Sequence, residues 1–178
     1  RLLQDDMFSG WGIRTLSTKS ANYNPMSYHN GSVWPHDTAL IALGLRHAGF
    51  DDHANRLVTS LIEAGFHFSD SRLPELFCGF TRDKRFNSHP TAYVVSCSPQ
   101  AWAAGCVFML IQTILDLRPD LPQHRVHLSP MLPDVFKRIS LRNLSLGTFR
   151  GEIALEGAGR EVRTRVLGLD EFDVQAPG

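Results

Sequence analysis

The pattern of apolar and polar residues changes twice along the chain. Residues 1–32 have no period: Gly10, Gly12, Asn22, Asn24, Pro25, Asn30 and Gly31 interrupt them, with Trp11, Tyr23 and Tyr28 between, and this texture predicts loop. A helix is expected from Pro35 to Ala48. Pro35 suits the first helical position, where its missing N–H costs little, and Gly49 suits the residue just past the end. A second helix is expected from Asp52 to Phe66, where Leu57, Leu61 and Ala64 recur at helical spacing while Arg56 and Glu63 fall on other faces. A third is expected to have Ser98 as N-cap and Pro99 in its first turn, and to stop at Arg118-Pro119. Its interior, Trp102 to Ile111, is apolar all round. A helix without a polar face must be covered on every side, so this one is expected in an inner layer, with Trp102 and Phe108 almost fully buried.

Residues 67–97 lack strong periodicity, yet they carry Phe68, Phe77, Phe80, Phe86 and Tyr93, so an ordered, aromatic-rich loop is expected rather than disorder. After Pro119 the texture changes. Pro122, Pro130 and Pro133 break helix, and apolar residues then alternate with polar ones through Ile139–Leu146, Thr148–Leu155 and Glu161–Leu167, with Gly147, Gly157 and Gly159 as turns. Period two with such turns predicts three or four antiparallel strands at the edge of a sandwich. The expected division is 1–118 and 119–178.

Composition narrows the function classes a little. Among 178 residues the 18 Lys and Arg balance the 18 Asp and Glu, so there is no net electrostatic footprint for nucleic acid or an anionic membrane. A neutral polyol is compatible with that balance. Cys78, Cys97 and Cys106 are odd in number and show no C-x-x-C spacing, which argues against a disulfide framework and for a reducing, cytoplasmic setting. The apolar run Ala101–Ile111 is too short to span a bilayer.

Two stretches concentrate chemistry. Tyr28-His29-Asn30-Gly31-Ser32-Val33-Trp34-Pro35-His36-Asp37 mixes imidazole, amide, indole and carboxylate ahead of a helix start. Sugar sites use that mixture, with planar groups against a pyranose face and bidentate groups on adjacent hydroxyls. Asp37 in a first helical turn is favoured as an anion, which makes it a hydroxyl acceptor rather than a proton donor. The alternative is structural, with Asn30-Gly31 as a turn and Asp37 as a helix-end charge. In Arg72-Leu73-Pro74-Glu75-Leu76-Phe77-Cys78-Gly79-Phe80 a single carboxylate sits among apolar neighbours. Burial there is expected to raise the Glu75 pKa, and Arg72 or Arg82 to restore the ion, unless Glu75 belongs to a structural Glu–Arg pair. The histidine spacings, His29 with His36 and His124 with His127, match no metal motif, and neither a nucleophile elbow nor a phosphate loop occurs. No metal or cofactor is expected.

Ser9-Gly-Trp-Gly-Ile-Arg-Thr-Leu16, Tyr23-Asn-Pro, Ser27-Tyr-His-Asn-Gly-Ser-Val-Trp-Pro-His-Asp37, Leu73-Pro-Glu-Leu-Phe77 and Cys97-Ser-Pro-Gln-Ala-Trp-Ala-Ala104 follow one another in this order. Together they resemble the C-terminal half of the amylo-α-1,6-glucosidase, or glycogen debranching, catalytic domain over roughly residues 8–147. The resemblance implies a mainly α fold, part of an (α/α)6 toroid followed by a small antiparallel β segment. It also implies inverting hydrolysis of an α-glucosidic bond in an α-glucan or oligosaccharide, with Glu75 in the place of the general base. His29, Asn30, Trp34 and Asp37 would contact the sugar. The family's acid lies on an earlier part of the toroid, and no residue here matches it, so the missing N-terminal half is the expected partner. Toroid glycosidases acting on trehalose or mannosylglycerate, and a non-catalytic carbohydrate-binding module, are the other readings.

Overall fold

The computed structural model describes residues 1–147, 149–170 and 172–175. The chain divides into two compact units, Arg1–Leu110 and Ile111–Gly178.

The first unit opens with turns and short bridges, Phe8 with Ile13 and Arg14 with Val33, over the stretch expected to be loop. Helix α1 (Pro35–His47) starts on its proline, with Asp37 in the first turn and Arg46 and His47 in the last, each charge placed to suit the helix dipole. Helix α2 (Asp51–Gly65) packs against it. Ala54, Leu57, Val58, Leu61 and Ala64 form the buried stripe of α2 at three- and four-residue spacing, and Thr38, Ala39 and Ala42 are buried on α1. Complete burial of Leu57 and Leu61 stabilises the pair by about 1.5–3 kcal/mol per side chain. Arg46 Nη1 and Asp51 Oδ1, 2.5 Å apart, tie the end of α1 to the start of α2.

Helix α3 (Ala101–Leu115) corrects two expectations. It starts after Ser98-Pro99, and the Gln100 carbonyl accepts the Ala104 N–H at 2.9 Å, so Gln100 stands where Ser98 was expected. It is also not sheathed. Ala103, Cys106, Leu110 and Ile114 are buried, whereas Trp102 is 49% and Phe108 75% exposed, with Val107 exposed beside them. Apolar composition all round therefore does not place this helix in an inner layer. Its buried residues recur every three or four positions, as on any one-sided helix.

The second unit is built from strands. Strands β1 (Arg118–Asp120), β2 (Arg125–His127) and β6 (Asp173–Gln175) form a sheet in the order β1-β2-β6, antiparallel and then parallel. Strands β3 (Arg138–Leu146), β4 (Phe149–Ala158) and β5 (Glu161–Leu167) form an antiparallel meander. The three meander strands coincide with the three alternating segments of the sequence. Thr148, expected to open the middle one, lies outside the described residues. The β1-β2-β6 sheet carries no period-two signal because each strand is three residues long.

The fold class differs from the mainly α expectation. Among the described residues there are three α-helices and two small sheets, and helix and strand are nearly equal at 27% and 26%. The prolines after α3 stop helix formation, and the alternating segments that follow can bury one face only as sheet. No helix among the described residues is long and apolar enough to cross a membrane.

Candidate active site

The segment Leu73–Gly79 is buried through its whole length, which the aromatic-rich loop on either side of it is not. Backbone pairing holds it in place. Val33 and Phe77 exchange N–H···O=C bonds at 2.9 and 3.0 Å, and Cys78 N–H donates to the Thr91 carbonyl at 2.9 Å. Three distant stretches, around residues 33, 77 and 92, thus form one short antiparallel patch. Gly79 makes the close approach possible, since a Cβ there would lie 1.7 Å from the Gly31 carbonyl oxygen. The Gly79 carbonyl in turn accepts from Arg14 Nε at 2.7 Å and Tyr23 Oη at 3.0 Å.

This pairing sets Glu75 against Tyr28. The Tyr28 hydroxyl donates to Glu75 Oε1 at 2.7 Å, and the Cys97 N–H donates to Oε2 at 3.1 Å. The Glu75 N–H donates back to the Cys97 carbonyl at 3.0 Å. Glu75 is only 5% exposed. Burial alone would raise its pKa, as the sequence led us to expect, but the Tyr28 hydrogen bond and then the Cys97 backbone N–H outweigh it and hold the carboxyl below its ordinary value. The same bond pushes the Tyr28 phenol up to about 12, so it stays a donor. Glu75 is a carboxylate at neutral pH. The side chains of Cys97 and Gln100 add smaller contributions in the same direction, towards the ion.

The Glu–Arg pair is not formed. Arg82 instead pairs with Glu63 and stacks on the Trp11 ring, its guanidinium carbon 4.0 Å from the ring centroid.

An aromatic cluster surrounds the Tyr28–Glu75 pair. The Tyr28 ring meets His29, Trp34 and Tyr93 edge-on, with centroids 4.6, 4.8 and 5.8 Å away. His29 is exposed and lies parallel to Trp34 at 5.9 Å. Trp34 itself is 6% exposed, and its indole N–H is shared between the Tyr28 carbonyl and Ser32 Oγ, so it acts as scaffold for its neighbours. His36 stacks on Trp102 at 4.7 Å and its Nε2 lies 3.2 Å from Asp37 Oδ1. Asp37 and Asn30 are exposed, Asp37 at the start of α1 and Asn30 on the turn bonded to Asn24.

Three members of this cluster are not legible in the sequence pattern. Tyr28 lies inside the motif with no spacing that ties it to Glu75, although a phenol is the natural donor to a buried carboxylate. Trp102 lies in an apolar run whose composition predicts core. The Cys97 N–H is a backbone group and leaves no trace in side-chain patterns.

Residues 2–88 match the family model described as "Mannosylglycerate hydrolase MGH1-like glycoside hydrolase domain". The match spans just under half of the chain and supports a glycosidase-type function. It takes in Tyr28, His29, Trp34, Asp37 and Glu75 and ends before Cys97 and Trp102. It does not single out the debranching type. No curated protein matches the chain.

Proposed function

We propose that this chain provides the base side of an inverting glycoside hydrolase centre, with Glu75 as the general base. The observation that carries the reading is a buried carboxylate kept ionised by two fixed donors inside an aromatic cluster. In the reaction Glu75 accepts a proton from a water, the water oxygen bonds to the anomeric carbon, and the glycosidic C–O bond breaks as a second carboxyl protonates the leaving oxygen. Inversion requires the two carboxyl groups about 6.5–9.5 Å apart, to leave room for that water. Asp37 is not the acid in this reading, because it sits where the helix dipole favours its anion. Asp37, His29 and Asn30 hold hydroxyls, Trp34 fixes the ring of Tyr28, and the half-exposed Trp102 offers a stacking face.

The preferred substrate is an α-1,6-branched glucan, on the strength of the motif order from Ser9 to Ala104. A mannosylglycerate-type substrate is the second reading, and the family match is compatible with it. The unpaired Cys78, Cys97 and Cys106 support a cytoplasmic setting.

The test uses the longest natural chain containing these residues, supplied with limit dextrin, isomaltose-type oligosaccharides and mannosylglycerate. Proton NMR then follows the first-formed anomer. We expect hydrolysis of one substrate with release of the inverted sugar. A retained anomer removes the base role, and sugar binding without hydrolysis assigns the cluster to a binding module.

A further inference from the structure

The β3-β4-β5 meander has two unlike faces. Its register puts Ile139, Leu155 and Thr164 in one row and Leu141, Ile153 and Val166 in the next, on the apolar side. On the other side Arg138, Glu156 and Arg163 form one row, and Ser140, Ala154 and Arg165 the next. Arg142 and Ser140 reach Glu152 from the same side, at 3.7 and 3.1 Å. A cavity of about 200 Å³ opens on this face, lined by Arg138, Arg163 and Arg165, with Glu156 between and Ala154 as the floor. Among the described residues none of these three arginines has an ion pair. A large side chain at position 154 would fill the space that alanine leaves.

We propose that this face binds an acidic oligosaccharide, with Arg138, Arg163 and Arg165 on its uronate carboxylates and Glu156 and Ser140 on its hydroxyls. Guanidinium forks match carboxylates bidentately. Arg163 and Arg165 are about 7 Å apart along their strand, and Arg138 lies about 10 Å across the sheet, spacings that suit several negative groups on one extended ligand. Glu152, Glu156 and, by the same alternation, Glu161 decide between polyanions. They repel a continuous phosphate track, but they accept hydrogen bonds from sugar hydroxyls. No aromatic platform for stacked bases is present among the lining residues. The site belongs to the second unit and stands whether or not Glu75 is the base.

The test is calorimetric titration of the full chain at about 0.15 M salt, where weak surface attraction is screened. The probes are a uronate hexasaccharide, a neutral glucan hexasaccharide, polyglutamate and single-stranded DNA of similar length. We expect the uronate to bind at least ten-fold more tightly than any of the others. Arg163→Gln with Arg165→Gln should weaken uronate binding at least ten-fold, and the Lys pair at the same positions should be intermediate. Lys84→Gln with Arg85→Gln, which removes the same charge elsewhere, should leave it unchanged. All three variants change exposed side chains, and circular dichroism checks that they fold. Equal weakening by both Gln pairs, or DNA or polyglutamate binding as tightly as the uronate, overturns the proposal.

Discussion

Glu75 and Tyr28 work as a unit, and their chemistry fixes the sign of each effect. With Glu75 as the proposed base, Glu75→Gln keeps the shape but removes the proton acceptor, so turnover should fall on the order of 10²–10⁴-fold with binding preserved. Azide, which needs no deprotonation, should restore part of the rate. Tyr28→Phe removes the donor that contributes most to holding the Glu75 pKa below 4.5. The acid limb of the pH–rate profile should then move to higher pH, a shift that a merely structural tyrosine would not cause. The same linkage governs stability. Because the folded-state pKa is depressed, the stabilisation is present above pH 4.5 and is lost as pH falls through the folded value. The Tyr28→Phe protein should therefore start to acid-unfold at a higher pH than the parent, measured by far-ultraviolet circular dichroism. Asp37→Asn should raise KM along with any fall in kcat if Asp37 holds hydroxyls.

At the scale of elements, the site depends on how closely two loops approach. Gly79→Ala would drive a methyl group into the Gly31 backbone, which cannot yield as a flexible side chain would. The cost should reach or exceed the upper end of the roughly 1–3 kcal/mol typical of overpacking, read from urea unfolding. Helix α3 carries the opposite expectation. Phe108 on its outward side is 75% exposed, so Phe108→Lys should change stability by no more than about 0.5 kcal/mol while reducing aggregation in light scattering. Trp102→Ala should likewise cost less than the roughly 3–5 kcal/mol of a buried aromatic, and its main effect should be weaker oligosaccharide binding. A large fall in unfolding midpoint for Phe108→Lys would show that this face is covered in the native protein.

Across the whole molecule, zero net charge hides a local arrangement. Arginines and glutamates crowd one face of the β3-β4-β5 meander, and a count over the chain averages them away. What the sequence determined by itself is what local physics controls. Pro35 and Gly49 bracket α1, the Leu57–Leu61–Ala64 spacing marks α2, and alternation after Pro133 marks β3 to β5, because caps, periodicity and proline act within a few residues of themselves. The Leu73-Pro-Glu-Leu-Phe77 stretch also marks Glu75 as a lone carboxylate among apolar neighbours, and the structure buries it. Only the tertiary structure decided the rest. Whether Glu75 is raised or lowered in pKa depends on donors 47 and 22 residues away, at Tyr28 and Cys97. Whether Trp102 is core or surface depends on what packs against α3, and an apolar helix looks the same in sequence either way. The parallel pairing of β2 with β6 joins segments almost fifty residues apart, each too short to show a period. Pairing over such distances is set by which surfaces remain to be buried once the local elements have formed, and no window along the chain contains that information.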